Sequence, residues 1–228
     1  MGCTYGFRYK QEEHLILDFE QSLSFASVQS KDFAKSINNH SKKLKLTEKQ
    51  FIAVIKELKI DITESISRPS KAKQLFERFL VGELYDKRSL ILLGILYGKG
   101  SLEEKAKILF LNYSLKIILD TKEIKNMIHD VIEVALVHAL KSAKTCVSDN
   151  YSNEKLKKYY YKLNKYKPEL KKYYKKLLIK DFSVGIKLDE FILIIQDKFV
   201  SKILCPSKIR SMAFRLGGGK TVFTESRV

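Results

Sequence analysis

Apolar residues recur at helical spacing along almost the whole chain, and this pattern constrains the fold more than any other feature. Phe51, Ile55 and Leu58 fall on one side of a predicted helix. Thr47 precedes that helix and Gln50 follows three residues later, which is a capping-box pattern. Strictly alternating patterns, typical of strands, are nearly absent, so the sequence predicts an all-α protein. Comparable apolar stripes occur in four further segments: Leu75, Phe76, Phe79 and Leu80; Ile124, Met127, Ile128, Val131 and Ile132; Leu170, Tyr173, Tyr174, Leu177 and Leu178; Phe191, Ile192, Ile194 and Ile195.

Composition agrees with a folded protein that has a sizeable core. With 45% hydrophobic residues, 10 glycines and 3 prolines, a chain of 228 residues can form one or two domains. The longest apolar runs begin at Leu90 and Phe191 and are far shorter than the ~20 residues that a membrane-spanning helix needs. The N-terminus lacks the apolar run of a secretory signal, and the three cysteines (Cys3, Cys146 and Cys205) are widely spaced. We therefore expect a reducing, cytoplasmic location.

The chain carries a net charge of +17, which favours an acidic partner such as a protein surface, an anionic membrane or nucleic acid. Residues 155–180 hold eleven lysines and six tyrosines. Helical spacing turns Tyr173 and Tyr174 toward the core, and Pro168 fits the first position of a helix. The alternative interpretation is a solvated helix face without a partner. The candidate partner surface consists of eight lysines: Lys157, Lys158, Lys162, Lys165, Lys171, Lys172, Lys175 and Lys176.

Residues 98–114 carry a resemblance to a known family. A Gly-Lys-Gly turn precedes Ser101, which starts an amphipathic helix that ends in Phe110 and Tyr113. In this stretch the chain resembles the EF-hand calcium-sensor family, in the branch of neuronal calcium sensors, calcineurin B and ciliary sensor relatives. The residues that match the family's linker between two lobes are Gly100, Ser101, Leu102, Glu104, Lys105, Phe110 and Tyr113.

The resemblance covers residues 46–197 and implies paired helix–loop–helix lobes. Leu119 and Ile186 occupy loop positions where the backbone of one unit pairs with a neighbouring loop. The expected organisation is an N-terminal segment with helices over residues 1–45, an N-terminal lobe over 46–100, a C-terminal lobe over 101–197 with a basic insertion at about 147–168, and a flexible tail over 198–228.

The loops implied by the resemblance depart from the calcium-binding pattern. An EF-hand loop places oxygen ligands at its first, third and fifth positions, Gly at the sixth and Glu at the twelfth. The loop after Ser114 is too short when Glu123 is its twelfth residue, and the loop in residues 80–89 is also too short. We expect these loops to act as structural joints without a cofactor. In the last loop, calcium could bind only weakly, through Asp181, Ser183 and Glu190, because Val184 stands where Gly is required.

The N-terminus offers two candidate lipidation sites. Gly2 becomes the first residue after removal of Met1 and can accept a myristoyl chain, and Cys3 can accept a palmitoyl chain. Two such chains supply the two signals that stable membrane anchoring requires. The Ser or Thr usual at position six is Gly6 here. We expect acylation of Gly2 and Cys3 and membrane association that depends on it.

The sequence gives little sign of catalysis. The four histidines lack metal-ligand spacing, and His138 lies in an apolar run that predicts a packed histidine. Cys146 and Cys205 have no neighbouring signal for a nucleophile. We expect a non-enzymatic adaptor that binds a target helix or an acidic assembly, at a membrane or in a ciliary or cytoskeletal complex. Two other hypotheses are a calcium sensor that uses the last loop and a basic nucleic-acid-binding scaffold. Lysine lacks the bidentate fork that reads bases, so nucleic acid is the less favoured partner.

Overall fold

The computed structural model describes residues 10–62, 70–114, 117–179 and 185–217, and most of them are helical, which confirms the all-α prediction. The α-helices are α1 (Lys10–Gln21), α2 (Ser30–His40), α3 (Glu48–Glu57), α4 (Lys71–Phe76), α5 (Lys87–Tyr97), α6 (Leu102–Tyr113), α7 (Thr121–Glu133), α8 (Ala139–Cys146), α9 (Asn150–Leu178), α10 (Leu188–Gln196) and α11 (Pro206–Gly217). The strands are β1 (Lys45–Leu46), β2 (Leu80–Val81), β3 (Leu84–Asp86), β4 (Ile118–Leu119) and β5 (Ile186–Lys187).

Local capping explains where several helices begin. The predicted capping box at Thr47 is present, because the Thr47 side chain accepts a hydrogen bond from the Gln50 backbone and the Gln50 side chain accepts one from the Thr47 backbone. Ser101 and Glu104 form the same arrangement at the start of α6. Ser70 caps α4, as its position before the apolar stripe predicts. These caps satisfy backbone N–H groups that the first helical turn leaves without partners.

Two short antiparallel ladders join the loops between helices. In the first, β3 lies between β1 and β2, and Leu46 is opposite Tyr85. In the second, Leu119 is opposite Ile186, so both of these loop positions pair with a neighbouring loop. Leu46, Leu119 and Ile186 are all fully buried. Each ladder therefore attaches a pair of loops to the core as well as to each other.

The helices around the ladders pack closely. Gly94 of α5 lies against Phe33 of α2, and a Cβ atom at Gly94 would lie 2.7 Å from the Phe33 ring. The rings of Phe110 in α6 and Phe191 in α10 have centroids 5.7 Å apart. Helix α9 packs on α7 and α11. The buried apolar side chains of these helices form a contiguous core.

A π-helical turn, Val134–His138, connects α7 to α8 without a break. A π turn contains an extra residue relative to an α turn, and it alters the hydrogen-bond pattern of the helix. The carbonyl oxygen of Ala135 in this turn accepts a hydrogen bond from Arg210 of α11 at 3.3 Å. The side chain of Arg210 therefore supplies a hydrogen-bond donor to a backbone carbonyl of the π-helical turn.

Several sequence predictions about the second half of the chain are corrected. Pro168 lies inside α9, which runs without interruption for 29 residues, so the prediction of a helix start there is wrong. The prediction of a flexible tail from residue 198 is wrong for residues 200–217, which form a 3₁₀ turn and α11. The reason is an apolar face on α11, where Ile209, Met212 and Ala213 are buried. Residues 218–228 lie outside the described residues.

Two predicted boundaries fall within continuous structure. The boundary between residues 45 and 46 falls inside β1, which pairs with β3. The basic insertion placed at about 147–168 is part of α9, which continues to Leu178. In the part of the chain that the structure describes, no helix has the length and apolarity needed to cross a membrane.

Candidate functional site

The loops after α2 and α6 share one local structure. Ser41 directly follows α2 and Ser114 directly follows α6. The Ser41 hydroxyl donates to the carbonyl of Lys45 at 2.9 Å, and the Ser114 hydroxyl donates to the carbonyl of Ile118, also at 2.9 Å. Both serines are buried. Each side chain therefore closes its own loop through a hydrogen bond to a carbonyl, an oxygen type that calcium loops use as a ligand.

Three side chains at the third position of helices α3, α7 and α10 cap their own helices. They accept hydrogen bonds from the backbone N–H three residues earlier: Gln50 from Thr47 at 2.9 Å, Glu123 from Asp120 at 2.8 Å and Glu190 from Lys187 at 3.0 Å. Glu123 and Glu190 are the residues predicted at the twelfth loop position, where a calcium loop uses a bidentate carboxylate. In this structure they serve as helix caps.

A lysine lies against the first loop. The ammonium of Lys87 donates to the backbone carbonyl of Ser41 at 2.7 Å. Burial lowers the pKa of Lys87, and the nearby charge of Lys42 lowers it further. The loop itself contains lysines and no carboxylate between residues 41 and 46. The Lys87 ammonium therefore uses the carbonyl of Ser41 as its hydrogen-bond acceptor. The positive charge of the surrounding lysines disfavours binding of a divalent cation.

The last loop is described only in part. Glu190 and Gly185 are described, whereas Asp181 and Ser183 lie outside the described residues. Gly185 has a φ of 103°, and a Cβ atom there would lie 2.6 Å from the Ile118 side chain, so the close approach of the two loops requires glycine. Within residues 10–62, 70–114, 117–179 and 185–217, no group of three His, Cys, Asp or Glu side chains is placed to hold a metal ion.

A polar cleft of about 270 Å³ lies at the start of α7. Its lining residues are Arg88, Tyr113, Asp120, Lys122, Glu123 and Asn126. The Arg88 guanidinium lies 4.9 Å from the centroid of the Tyr113 ring, and the Tyr113 hydroxyl donates to Asp130 at 2.8 Å. The lining contains two carboxylates, Asp120 and Glu123, and two cationic side chains, Arg88 and Lys122. These charges balance, so the cleft does not favour one class of ligand.

All eight lysines of the predicted partner surface lie on α9, within the described range 117–179. Seven of them are exposed, and Lys171 is the exception. The Lys171 ammonium lies 2.6 Å from His129 and 3.7 Å from Glu133. Burial raises the pKa of Glu133, but the Lys167 hydrogen bond and the charges of Lys167 and Lys171 outweigh burial and lower the pKa overall. Lys171 therefore contributes less to the partner surface than sequence spacing indicates.

Two tyrosines on α9 are exposed and were not predicted as surface residues. Tyr151 is 71% exposed and Tyr161 is 60% exposed. The run Tyr159-Tyr160-Tyr161 turns through about 100° per residue, so Tyr159 is buried, Tyr160 half-buried and Tyr161 exposed. The exposure of Tyr161 could have been predicted from the sequence, because it lies two residues, and so about 200° around the helix, from a core position. The predicted core position of Tyr174 is confirmed, since that residue is fully buried.

A buried cluster around Arg210 holds α9 and α11 against α1. All five N–H groups of Arg210 donate hydrogen bonds, to both oxygens of Glu13, to both oxygens of Glu20 and to the Ala135 carbonyl. The Tyr159 hydroxyl of α9 donates to Glu13 at 2.6 Å. Although burial alone lowers the pKa of Arg210, the charges of Glu13 and Glu20 raise it well above its usual value. This arginine clamp, made of Arg210, Glu13, Glu20 and Tyr159, fixes the position of the lysine-rich helix.

The other candidate residues are not gathered into a site. His138 packs against Phe79 with ring centroids 4.8 Å apart, as predicted for a packed histidine. Burial lowers the pKa of His138 to about 4, so the ring is neutral at pH 7. Cys146 lies at the end of α8 and Cys205 directly precedes α11, so the two cysteines are on separate elements. The candidate lipidation sites Gly2 and Cys3 lie outside the described residues.

Comparison with known proteins gives no independent assignment. No protein-family model matches this chain, and no curated protein or solved structure matches it significantly.

Proposed function

We propose that this chain is a non-enzymatic adaptor on a degenerate EF-hand fold and that it binds an acidic partner through the lysine surface of α9. Four helix–loop–helix arrangements in the described residues support the fold assignment, each with a short strand directly before its second helix. Their loops pair as β1 with β3 and β4 with β5. This pairing is what two EF-hand lobes require, and the resemblance in residues 98–114 supplies a linker between them.

The groups in the loops support an adaptor that works without calcium. Ser41 and Ser114 bond within their own loops, Glu123 and Glu190 cap helices, and Lys87 brings a positive charge to the first loop. Calcium requires six to eight oxygen ligands, about half of them usually carboxylates in tight sites. The described loop groups form hydrogen bonds within the protein, so we assign the binding function to the lysine surface of α9.

The observation that carries the partner proposal is the rigid row of charge on α9. The helix contains ten lysines, two glutamates and no arginine, and it extends over about 44 Å. The arginine clamp holds this helix in place through Tyr159. Ammonium groups without the arginine fork attract acidic groups but read bases poorly. An acidic protein assembly with repeated carboxylates engages several lysines together and gains affinity from high effective concentration.

An acyl anchor at Gly2 or Cys3 would act beside this surface. The Lys155 ammonium of α9 donates to the side chain of Gln11 at 2.6 Å, which places the start of α1 next to the lysine-rich helix. One acyl chain alone gives marginal membrane binding, and a basic surface supplies the second signal. Intact-mass analysis of the native protein tests this part of the proposal, since acylation adds a defined mass. An unmodified native N-terminus would remove it.

The partner proposal is tested by charge reversal with a matched control. The test variant carries Lys158→Glu, Lys165→Glu and Lys172→Glu on α9. The control carries three charge reversals at other exposed lysines and therefore has the same net charge: Lys49→Glu, Lys56→Glu and Lys107→Glu. Both are compared with the parent protein by co-sedimentation with polymerised tubulin, chosen because its surface is rich in carboxylates, at an ionic strength of about 0.15 M.

We expect the α9 variant to lose affinity by more than about tenfold and the control to lose much less, because only α9 presents its charges in one rigid row. Anionic vesicles, RNA and duplex DNA are measured under the same conditions. An equal loss in both variants would mean that net charge alone drives binding. Tight, sequence-selective binding to nucleic acid with no retention on tubulin would favour the nucleic-acid scaffold instead.

A further inference from the structure

A small cleft opens between α8 and α9, beside the lysine surface. Its volume is about 170 Å³. Leu140 and Leu156 form the floor, and both are buried at 2% and 1% exposure. Tyr160 and the exposed Tyr161 form a wall, and three lysines surround the opening: Lys141, Lys144 and Lys157. The cleft therefore combines an apolar interior with a positively charged rim.

We propose that this cleft receives one apolar side chain of an acidic peptide segment, so that it anchors the partner of the lysine surface. This inference rests on the proposed function, and it adds a defined point of recognition to a surface that otherwise attracts by charge. An apolar cavity of about 150 Å³ holds a benzene-sized group, whereas sites for drug-sized ligands run from about 300 to 1,000 Å³. The size of the cleft thus suits a single phenylalanine or leucine side chain.

The charge of the rim specifies the neighbours of that anchor. Lys141 and Lys144 are exposed on α8, and Lys157 is exposed on α9. The Lys141 ammonium lies 6.0 Å from the centroid of the Tyr160 ring, at the edge of the cleft. Among the residues that the structure describes, no carboxylate lines the cleft, and Glu154 lies 3.6 Å from Lys157 as its exposed ion pair. Aspartate and glutamate on both sides of the anchor complement this rim.

The same features disfavour a nucleobase or a lipid chain. A buried nucleobase needs hydrogen-bond partners for the donors and acceptors on its edges, and the leucine floor offers none. A lipid acyl chain is much larger than the cleft, so only a fraction of its carbon atoms would be removed from water. A peptide side chain leaves its backbone at the rim, where water and the lysines remain available.

The test uses the full chain and three labelled dodecapeptides measured by fluorescence anisotropy. One peptide has a central phenylalanine flanked by aspartate and glutamate, the second replaces the phenylalanine with alanine, and the third flanks the phenylalanine with lysine. Burial of a phenylalanine side chain predicts that the first peptide binds at least about tenfold more tightly than the second. The third peptide should not bind, because the rim repels it.

Variants locate the binding on the protein. Lys144→Glu lies on the rim, and Lys172→Glu makes the same charge change on α9 away from the cleft. We expect Lys144→Glu to weaken the phenylalanine peptide several-fold more than Lys172→Glu does. Tyr161→Ala should reduce the difference between the phenylalanine and alanine peptides, because it removes part of the wall that contacts the anchor. Tyr161 is exposed, so its removal leaves the core intact.

A photo-crosslinker in place of the central phenylalanine gives a second readout that does not depend on affinity. It should label residues 140–144 and 156–161. Equal affinity for the phenylalanine and alanine peptides, or equal effects of Lys144→Glu and Lys172→Glu, would overturn the cleft proposal and leave the wider lysine surface standing. Absence of binding by both acidic peptides and by tubulin would defeat the proposed function as well. Anionic vesicles and polyuridine are added as competitors. If either one abolishes the crosslinks, the cleft binds that ligand instead of a peptide side chain.

Discussion

Removal of the buried guanidinium of Arg210 should strongly destabilise the fold. Arg210 is fully buried, and its five N–H groups bond to two carboxylates and one backbone carbonyl. Arg210→Met keeps a long apolar side chain but leaves Glu13 and Glu20 buried without their counter-ion. Breaking a buried ion pair by removing one partner costs about 3–5 kcal/mol, because an uncompensated charge remains.

This loss of stability is large enough to measure by two methods. For a chain of this length, each kcal/mol lowers Tm by roughly 2–4 °C, so we expect a fall on the order of 10 °C. Urea unfolding followed by circular dichroism gives the free energy of unfolding independently. The matched control is Arg215→Met, an exposed arginine on the same helix. Arg215→Met should lower the free energy of unfolding by no more than about 0.5 kcal/mol, as is typical of surface substitutions.

A triple variant separates the cost of uncompensated charge from loss of packing. Glu13→Gln and Glu20→Gln, combined with Arg210→Met, remove all three charges while keeping similar side-chain volumes. Replacing a whole buried charge cluster by neutral groups is often far less costly than removing one member. We expect the triple variant to recover at least half of the stability lost by Arg210→Met. A loss in Arg210→Met no larger than in Arg215→Met would refute the reasoning, because the clamp would then not stabilise the fold.

Three further predictions concern other parts of the molecule. Addition of about 1 mM calcium should leave Tm unchanged, because the described loop groups are committed to the fold; a saturable rise abolished by Glu190→Gln would contradict this. The pKa of His138 is lowered by burial to about 4, so the unfolded state binds protons first and stability falls as pH drops from 6.5 toward 4. His138→Leu should lack this component in urea unfolding measured across that range, and an unchanged pH profile would exclude His138 as its source. Gly94→Ala should lower the free energy of unfolding by about 1–2 kcal/mol, because the added methyl group would lie 2.7 Å from the Phe33 ring. This overpacking exceeds the gain in helix propensity. A higher Tm would show that the ring moves aside without loss of stability.

Features that depend on a few neighbouring residues could be predicted from the sequence. The caps at Thr47 and Ser70 are local, because each hydroxyl bonds to a backbone N–H three residues later. The inward position of Tyr174 follows from helical spacing alone. That Leu119 and Ile186 each pair with a neighbouring loop was predicted only through the family resemblance, since a strand of two residues cannot show an alternating pattern. Their pairing with each other is visible only in the structure.

Features that depend on distant contacts could not be predicted. The unit formed by α2, β1 and α3 could not be predicted because the loop between the two helices is rich in lysine and carries no acidic or glycine motif that marks a loop. Helix α11 lies in the segment predicted as a tail, and it contains two arginines. One of them, Arg210, is fully buried, and its partners lie 190 and 197 residues earlier. No local pattern signals a charge pair across that separation.

The arginine clamp also has a consequence for the order in which the protein is made. Ribosomes add about 5–20 residues per second, so the 197 residues between Glu13 and Arg210 take roughly 10–40 s to synthesise. During that interval the nascent α1 carries two glutamates whose counter-ion does not yet exist. Burial of these carboxylates is unfavourable until the guanidinium arrives, so the first helix of the chain should dock among the last. We therefore expect the fold to be completed only after α11 has left the ribosome, with α1 undocked until then.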